Sequence, residues 1–174
     1  RMLEFRVSAP AATALVAEVW PSQARLGEWT DFTYALRPTI DQGDPGFDRI
    51  EIRSSSLLGQ VHEVRLGDVS LPYDVEVAEP RRLVVGFPPL RAADSGALLE
   101  LEFEARVLRH GDRFSGRVFD STRPLEVPQA VASGDATGQY ESDGVSVATS
   151  ADVGSVLRFR DGYRVVTPNG DRVN

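Results

Sequence analysis

The chain has no cysteine, which excludes a disulfide framework, a thiolate metal site and a cysteine nucleophile. Lysine is also absent: all 19 basic residues are arginine, a bias we read as a mark of a GC-rich genome. Against 26 acidic residues these leave a net charge of −7, with no basic cluster. Nucleic-acid binding is excluded on that ground, because tracking phosphates needs concentrated positive charge. No apolar run reaches the roughly 18 residues of a membrane-spanning helix. Nor does any window longer than about ten residues sustain a 3.6-residue apolar stripe, so helices are limited to one or two turns.

What is present is alternation. Leu15 to Trp20 is a strand stopped by Pro21, and Gln23 to Glu28 a turn. Trp29 to Leu36 alternates and stops before Pro38, since the residue before proline is steered away from regular continuation. Asp41 to Gly46 is a loop by its turn residues. Phe47 to Arg53 is a strand with its charges turned outward, Leu57-Leu58-Gly59 a single helical turn, and Val61 to Leu66 a further strand. Tyr73 to Val77 and Leu83 to Phe87 pair around a turn, with Pro88-Pro89 in the next loop. Short strands punctuated by Gly, Pro, Asp and Ser at intervals of about ten residues define an all-β chain, an antiparallel β-sandwich of Ig-like, jelly-roll or cohesin-like kind. At 174 residues it needs no staple to fold, because a chain this long buries roughly 70% of its unfolded surface.

The clearest stretch runs from Leu98 to Val107, where Leu99, Leu101, Phe103 and Ala105 alternate with Glu100, Glu102, Glu104 and Arg106. With His110-Gly111 as a tight turn, the spacing predicts a hairpin from Leu98 to Phe119. Val107 then faces Phe114, Ala105 faces Gly116, Phe103 faces Val118, and Glu104 meets Arg117 on the wet side. Ser121 to Asp143 loses alternation and is expected to wrap the surface, anchored by Val127 and Val131. Val145 and Val147 mark a late strand, and Val156 to Val166 a last hairpin at Asp161-Gly162. Leu3, Phe5 and Val7 mark a strand ahead of a linker-like run around Pro10.

Chemistry is thinner than structure. His62 and His110 fall on a strand and a turn, and no Gly-x-Ser-x-Gly elbow supplies a nucleophile for either; no catalytic residue is expected. Asp41, Asp44 and Asp48 surround a Gly/Pro loop, and Asp135, Glu141 and Asp143 lie in the later loop. These are the calcium candidates, since hard cations take loop carboxylates and carbonyls, though neither cluster has the spaced Asp-x-Asp-x-Asp-Gly pattern. Glycosidase chemistry needs two facing carboxylates, and no pair stands out. Among the few aromatics, Trp29 and Tyr34 lie on opposite strand faces, so one is core and the other exposed. Trp29 and Tyr140, the latter in the long loop, are the candidate ligand-stacking residues.

The run Thr167-Pro168-Asn169-Gly170-Asp171-Arg172-Val173-Asn174 resembles the opening of a C-terminal Ig-like module of secreted bacterial proteins, Thr-Pro-Asn-Gly-Asp-Gly-Val-Asn-Asp, of the gliding-motility sorting and hook-capping kinds. Arg172 replaces its glycine. In that family the Asn/Asp positions bind calcium, which by resemblance adds Asn169, Asp171 and Asn174 as candidates. The likeness covers only residues 167–174 and implies a following domain. The body is similar at pattern level to cohesin-like and carbohydrate-binding sandwiches, through Gly27-Glu28 and the run from Ser95 to Phe103.

Together these readings predict a piece of a longer protein, its first residue being arginine. Residues 1–10 end a preceding domain, 11–164 form the sandwich and 165–174 begin the next. The function expected is a non-catalytic spacer or protein-interaction module of a secreted or cell-surface bacterial protein, without cofactor apart from calcium. Its partners are neighbouring domains of the same chain and a protein or glycan ligand. The alternative is a carbohydrate-binding module with aromatic stacking and structural calcium.

Overall fold

A computed structural model describes residues 14–150. The strand expected at Leu3 to Val7, the hairpin at Val156 to Val166, and Asn169, Asp171 and Asn174 lie outside the described residues. The strands are β1 (Ala14–Trp20), β2 (Gln23–Arg25), β3 (Trp29–Thr39), β4 (Phe47–Arg53), β5 (Leu57–Leu66), β6 (Val69–Ser70), β7 (Asp74–Glu79), β8 (Arg82–Leu90), β9 (Leu99–Arg106), β10 (Asp112–Arg113), β11 (Ser115–Phe119), β12 (Gln129–Ala130), β13 (Ala132–Ser133) and β14 (Ser146–Ser150). A single 3-10 turn at Ala92–Asp94 is the one helical element among the described residues.

One sheet has six strands in the order β13-β1-β3-β9-β5-β6, and a second has five in the order β12-β11-β4-β8-β7. A small sheet, β10-β14-β2, closes one end. The pairings are antiparallel except for β1 with β13 and β14 with β2. Alternation dictates the layering: Leu15, Ala17, Val19, Phe32, Tyr34, Leu36, Leu99, Leu101, Phe103 and Ala105 point inward from the first sheet. Phe47, Ile50, Ile52, Leu83, Val85 and Val118 meet them from the second. Phe114 joins the halves, its ring centroid 5.3 Å from Phe32 and 5.8 Å from Phe103. The expected all-β antiparallel sandwich is what the chain forms.

The expected Leu98–Phe119 hairpin is not. Strand β9 pairs with β3 and β5 in one sheet, whereas β11 pairs with β4 and β12 in the other. After Val107 the chain turns through Gly111 (φ 70°), pairs β10 with β14, and crosses the sandwich. The inward faces are as predicted, because Phe103, Ala105, Phe114 and Val118 are all buried. The partners differ because period-two alternation names a face and not a neighbour. Glu104 accordingly opposes Asp31 rather than Arg117.

Smaller corrections have local causes. Pro38 lies inside β3, opposite Leu15, at a position past the end of β9 where no N–H is needed; its carbonyl accepts from Gly96 N at 2.7 Å. The expected helical turn at Leu57-Leu58-Gly59 is the start of β5, drawn into the sheet by pairing with β9. The turn expected at Gln23 opens with the short β2 beside β14, and Pro88-Pro89 end β8 instead of starting the loop. On β4, Asp48 and Glu51 are buried under arginine partners rather than turned to water.

Ser121 to Asp143 does wrap the surface, but by polar anchors. Val127 is 90% exposed, while Val131 packs on the core. Asp48 accepts from Ser121 N (2.8 Å) and Oγ (2.5 Å) at one end. At the other, buried Glu18 accepts from Ala136 N (3.2 Å), Thr137 N (2.7 Å) and Thr137 Oγ1 (2.6 Å). A buried carboxylate needs such donors to offset its lost hydration, so these bonds fix where Tyr140 emerges.

Candidate functional site on the outer face of the six-stranded sheet

The outward side chains of β3, β9 and β5 form one continuous polar face. Antiparallel register places Asp31 opposite Glu104 and Thr33 opposite Glu102. Like charges directly opposed across a strand pair repel, and a third strand supplies what stands between them. The register of β5 against β9 shifts on either side of Val61. Such bulges re-aim side chains, and His62 projects outward beside the pair. Its Nε2 lies 3.3 Å from Asp31 Oδ1 and 3.8 Å from Glu104 Oε1. Among the described residues this is the only group of three metal-ligating side chains whose ligand atoms all lie within 4.8 Å of one another.

A second charge group adjoins it. Arg65 Nη2 reaches Glu100 Oε2 and Glu102 Oε1, each at 3.1 Å. Tyr140, delivered by the wrapped loop, donates its hydroxyl to Glu100 Oε1 at 2.5 Å. Burial and then that bond push the Tyr140 hydroxyl up to about 12, so it is a fixed donor at neutral pH. Its ring stacks on Trp20, with centroids 5.6 Å apart and planes inclined 24°. Between Trp20 and His62 runs a groove of about 410 Å³ lined by Trp20, Asp31, Phe32, Thr33, His62 and Glu102. Trp20 is 45% exposed at its rim.

Of the expected site residues, Trp29 is 51% exposed and Tyr34 fully buried, the division that their opposite faces imply. The Trp29 ring leans over Gly59, where a Cβ would stand 2.9 Å from Trp29 Cζ3. Tyr140 is half-buried against Trp20 rather than free to stack on its own. In the first acidic loop Asp44 Oδ2 accepts from Asp41 N at 3.1 Å, and Asp48 serves Ser121 and Arg49. Asp135 caps Gly138 N at 2.6 Å. These carboxylates serve turns and anchors, and Asp41, Asp44 and Asp48 do not converge as a ligand group. Sequence reasoning missed Asp31, Glu104 and His62 as a group. His110, the other histidine, accepts from Thr149 N through Nδ1 at 3.1 Å and is not part of this group.

The geometry is poorly suited to acid–base relay. Both carboxylates address the same imidazole nitrogen, whereas a triad needs one ring nitrogen on the acid and the other on a nucleophile.

No family model and no curated protein matches the chain. Solved structures resemble it. The full-length major pilin SpaD from Corynebacterium diphtheriae aligns at 18% identity and TM-score 0.46, over 68% of this chain and 33% of the pilin. A non-cellulosomal cohesin from the archaeon Archaeoglobus fulgidus aligns at 17% and 0.36, over 80% of this chain and 86% of the cohesin. An uncharacterised protein from Nocardia farcinica with an immunoglobulin-like fold aligns at 14% and 0.41, over 79% and 99%. The chain thus spans about a third of the length of the pilin. The likeness is one of fold alone, and the chain is a β-sandwich by its own sheet order and core.

Proposed function

We propose that the chain is a non-catalytic β-sandwich module of a larger secreted or cell-surface bacterial protein. It docks a protein partner on the outer face of its six-stranded sheet. Residues 11–164 form the module, 1–10 end a preceding domain and 165–174 lead into a following one. The observation that carries the reading is the exposed Trp20, braced by Tyr140 at the rim of a groove lined by acidic side chains. Interfaces draw their energy from rigid aromatic anchors surrounded by pre-ordered polar groups. With Asp31, Glu102 and Glu104 lining or flanking the groove, the partner surface that fits carries arginine or lysine.

Tyr140 spends one face on Trp20, and the groove beside them is lined by Asp31, His62 and Glu102, a charged surface that favours the protein reading over the glycan one. A photo-crosslinker placed at Thr33 in the parent protein tests it, alongside a glycan array. The expected result is a discrete protein crosslink that Trp20→Ala abolishes, with no glycan signal. A glycan signal lost in Trp29→Ala, or crosslinks indifferent to Trp20→Ala, would overturn it.

A further inference from the structure

We infer that Asp31, His62 and Glu104 form a binding site for a borderline divalent cation, zinc being the type case. Three observations converge. The first is the donor set, one imidazole nitrogen and two carboxylate oxygens, which suits zinc and its transition-metal neighbours rather than calcium, whose sites are built from oxygen alone. The second is spacing. Metal–ligand bonds of about 2.0–2.2 Å in tetrahedral geometry put ligand atoms roughly 3.3–3.6 Å apart. Here the two edges from His62 Nε2 are 3.3 and 3.8 Å, and the third is within 4.8 Å. Rotamer adjustments of up to about an ångström close the set.

The third is charge. Asp31 and Glu104 oppose each other directly, and no arginine pairs with either among the described residues. The nearest candidates are engaged elsewhere, Arg65 with Glu100 and Glu102 and Arg106 with the Gly27 carbonyl at 2.5 Å. A divalent cation neutralises the pair that the sheet forces together. All three ligands stand on adjacent strands of one sheet, a rigid frame of the kind metal sites require. The coordination left open faces the Trp20 groove, where water or a donor from a docked surface completes it.

The test uses the whole chain with no partner present, so it is independent of the docking reading. Zinc chloride is titrated calorimetrically and by NMR of the imidazole signals, of which the chain has only two sets, His62 and His110. The expected result is one zinc per chain with the His62 Nε2 signal displaced and His110 unmoved. His62→Ala abolishes binding, and Asp31→Asn and Glu104→Gln each weaken it about tenfold or more. Calcium chloride leaves His62 unmoved. His62 is exposed enough for its variant to fold, which an unchanged thermal melt without zinc confirms. No displacement of His62 up to about 1 mM zinc overturns the site. So does binding that survives His62→Ala, or that neither carboxylate variant weakens.

Discussion

Tyr34→Phe should make this protein more stable. Tyr34 is 1% exposed on β3, and its hydroxyl has no hydrogen-bond partner among the described residues. Burial holds that phenol far above its ordinary value, with Arg113 opposing only in part. An unpaired buried hydroxyl costs roughly 1–3 kcal/mol relative to its hydrated state in the unfolded chain. Removing it returns that penalty, less the dispersion lost from a one-atom gap, for a net gain of about 1 kcal/mol. The hydroxyl lies against Gly116 of β11 in the facing sheet. A Cβ at position 116 would stand 2.1 Å from the Tyr34 oxygen and 2.9 Å from Cζ. Gly116→Ala should therefore cost about 1–3 kcal/mol as overpacking. In the Tyr34→Phe background the worst contact disappears and the cost should fall by at least about 0.5 kcal/mol, the signature of directly coupled residues. Urea melts of the four proteins, with m unchanged, measure the cycle. If Tyr34→Phe destabilises by more than about 0.5 kcal/mol, or the cycle is additive, the packing argument fails.

Two further expectations follow from burial and charge. Phe103→Ala removes a fully buried ring between Phe32 and Phe114 and should cost about 3–5 kcal/mol, whereas Glu102→Ala on the wet side of the same strand should cost under about 0.5 kcal/mol; equal shifts in a denaturant melt would refute the face assignment. Glu51 gives a pH dependence: burial tends to raise its carboxyl, but the hydrogen bonds and charges of Arg53 and Arg82 prevail and hold it below the ordinary 4.5. A carboxyl depressed by folding contributes stability that is present above 4.5 and lost as pH falls through its folded value. Glu51→Gln should therefore flatten the acid limb of the stability curve below pH 4.5, and an unaltered limb would show that the pair contributes nothing.

The case of Gly116 shows what alternation reveals and what it leaves open. The pattern around Phe103 and Phe114 places every inward residue correctly, since burial of alternate side chains is a local demand. It also makes the hairpin register self-consistent, with Gly116 opposite Ala105. That register fails because the choice of neighbour is global. A strand flanked by a plausible turn pairs across it only if no better sheet is available, and β9 finds β3 on one side and β5 on the other. The glycine is better understood from the far sheet, where it makes room for the Tyr34 hydroxyl. The prolines mislead for a related reason. Pro38 ends a strand only if a partner needs its N–H, and β9 has already stopped short of it.

The same logic explains why the acidic loops drew attention while the assembled face did not. Asp41, Asp44 and Asp48 are close in sequence, and closeness in sequence is what a loop-type calcium motif offers to a reader. Local proximity, however, lets such carboxylates serve their own backbone, and Asp44 does so through Asp41 N. Asp31, His62 and Glu104 are each unremarkable alone, one outward residue apiece on three strands. Only the sheet order β3-β9-β5 makes them neighbours, and only the bulge in β5 turns His62 toward the two acids. A surface that must hold two like charges opposite each other is costly to the fold unless something is gained there. The sheet offers no arginine to this pair although it supplies Arg65 to the two glutamates beside it. That contrast, between charges the chain neutralises itself and charges it leaves to an imidazole, is what marks Asp31, His62 and Glu104 as the place where an external cation completes the surface.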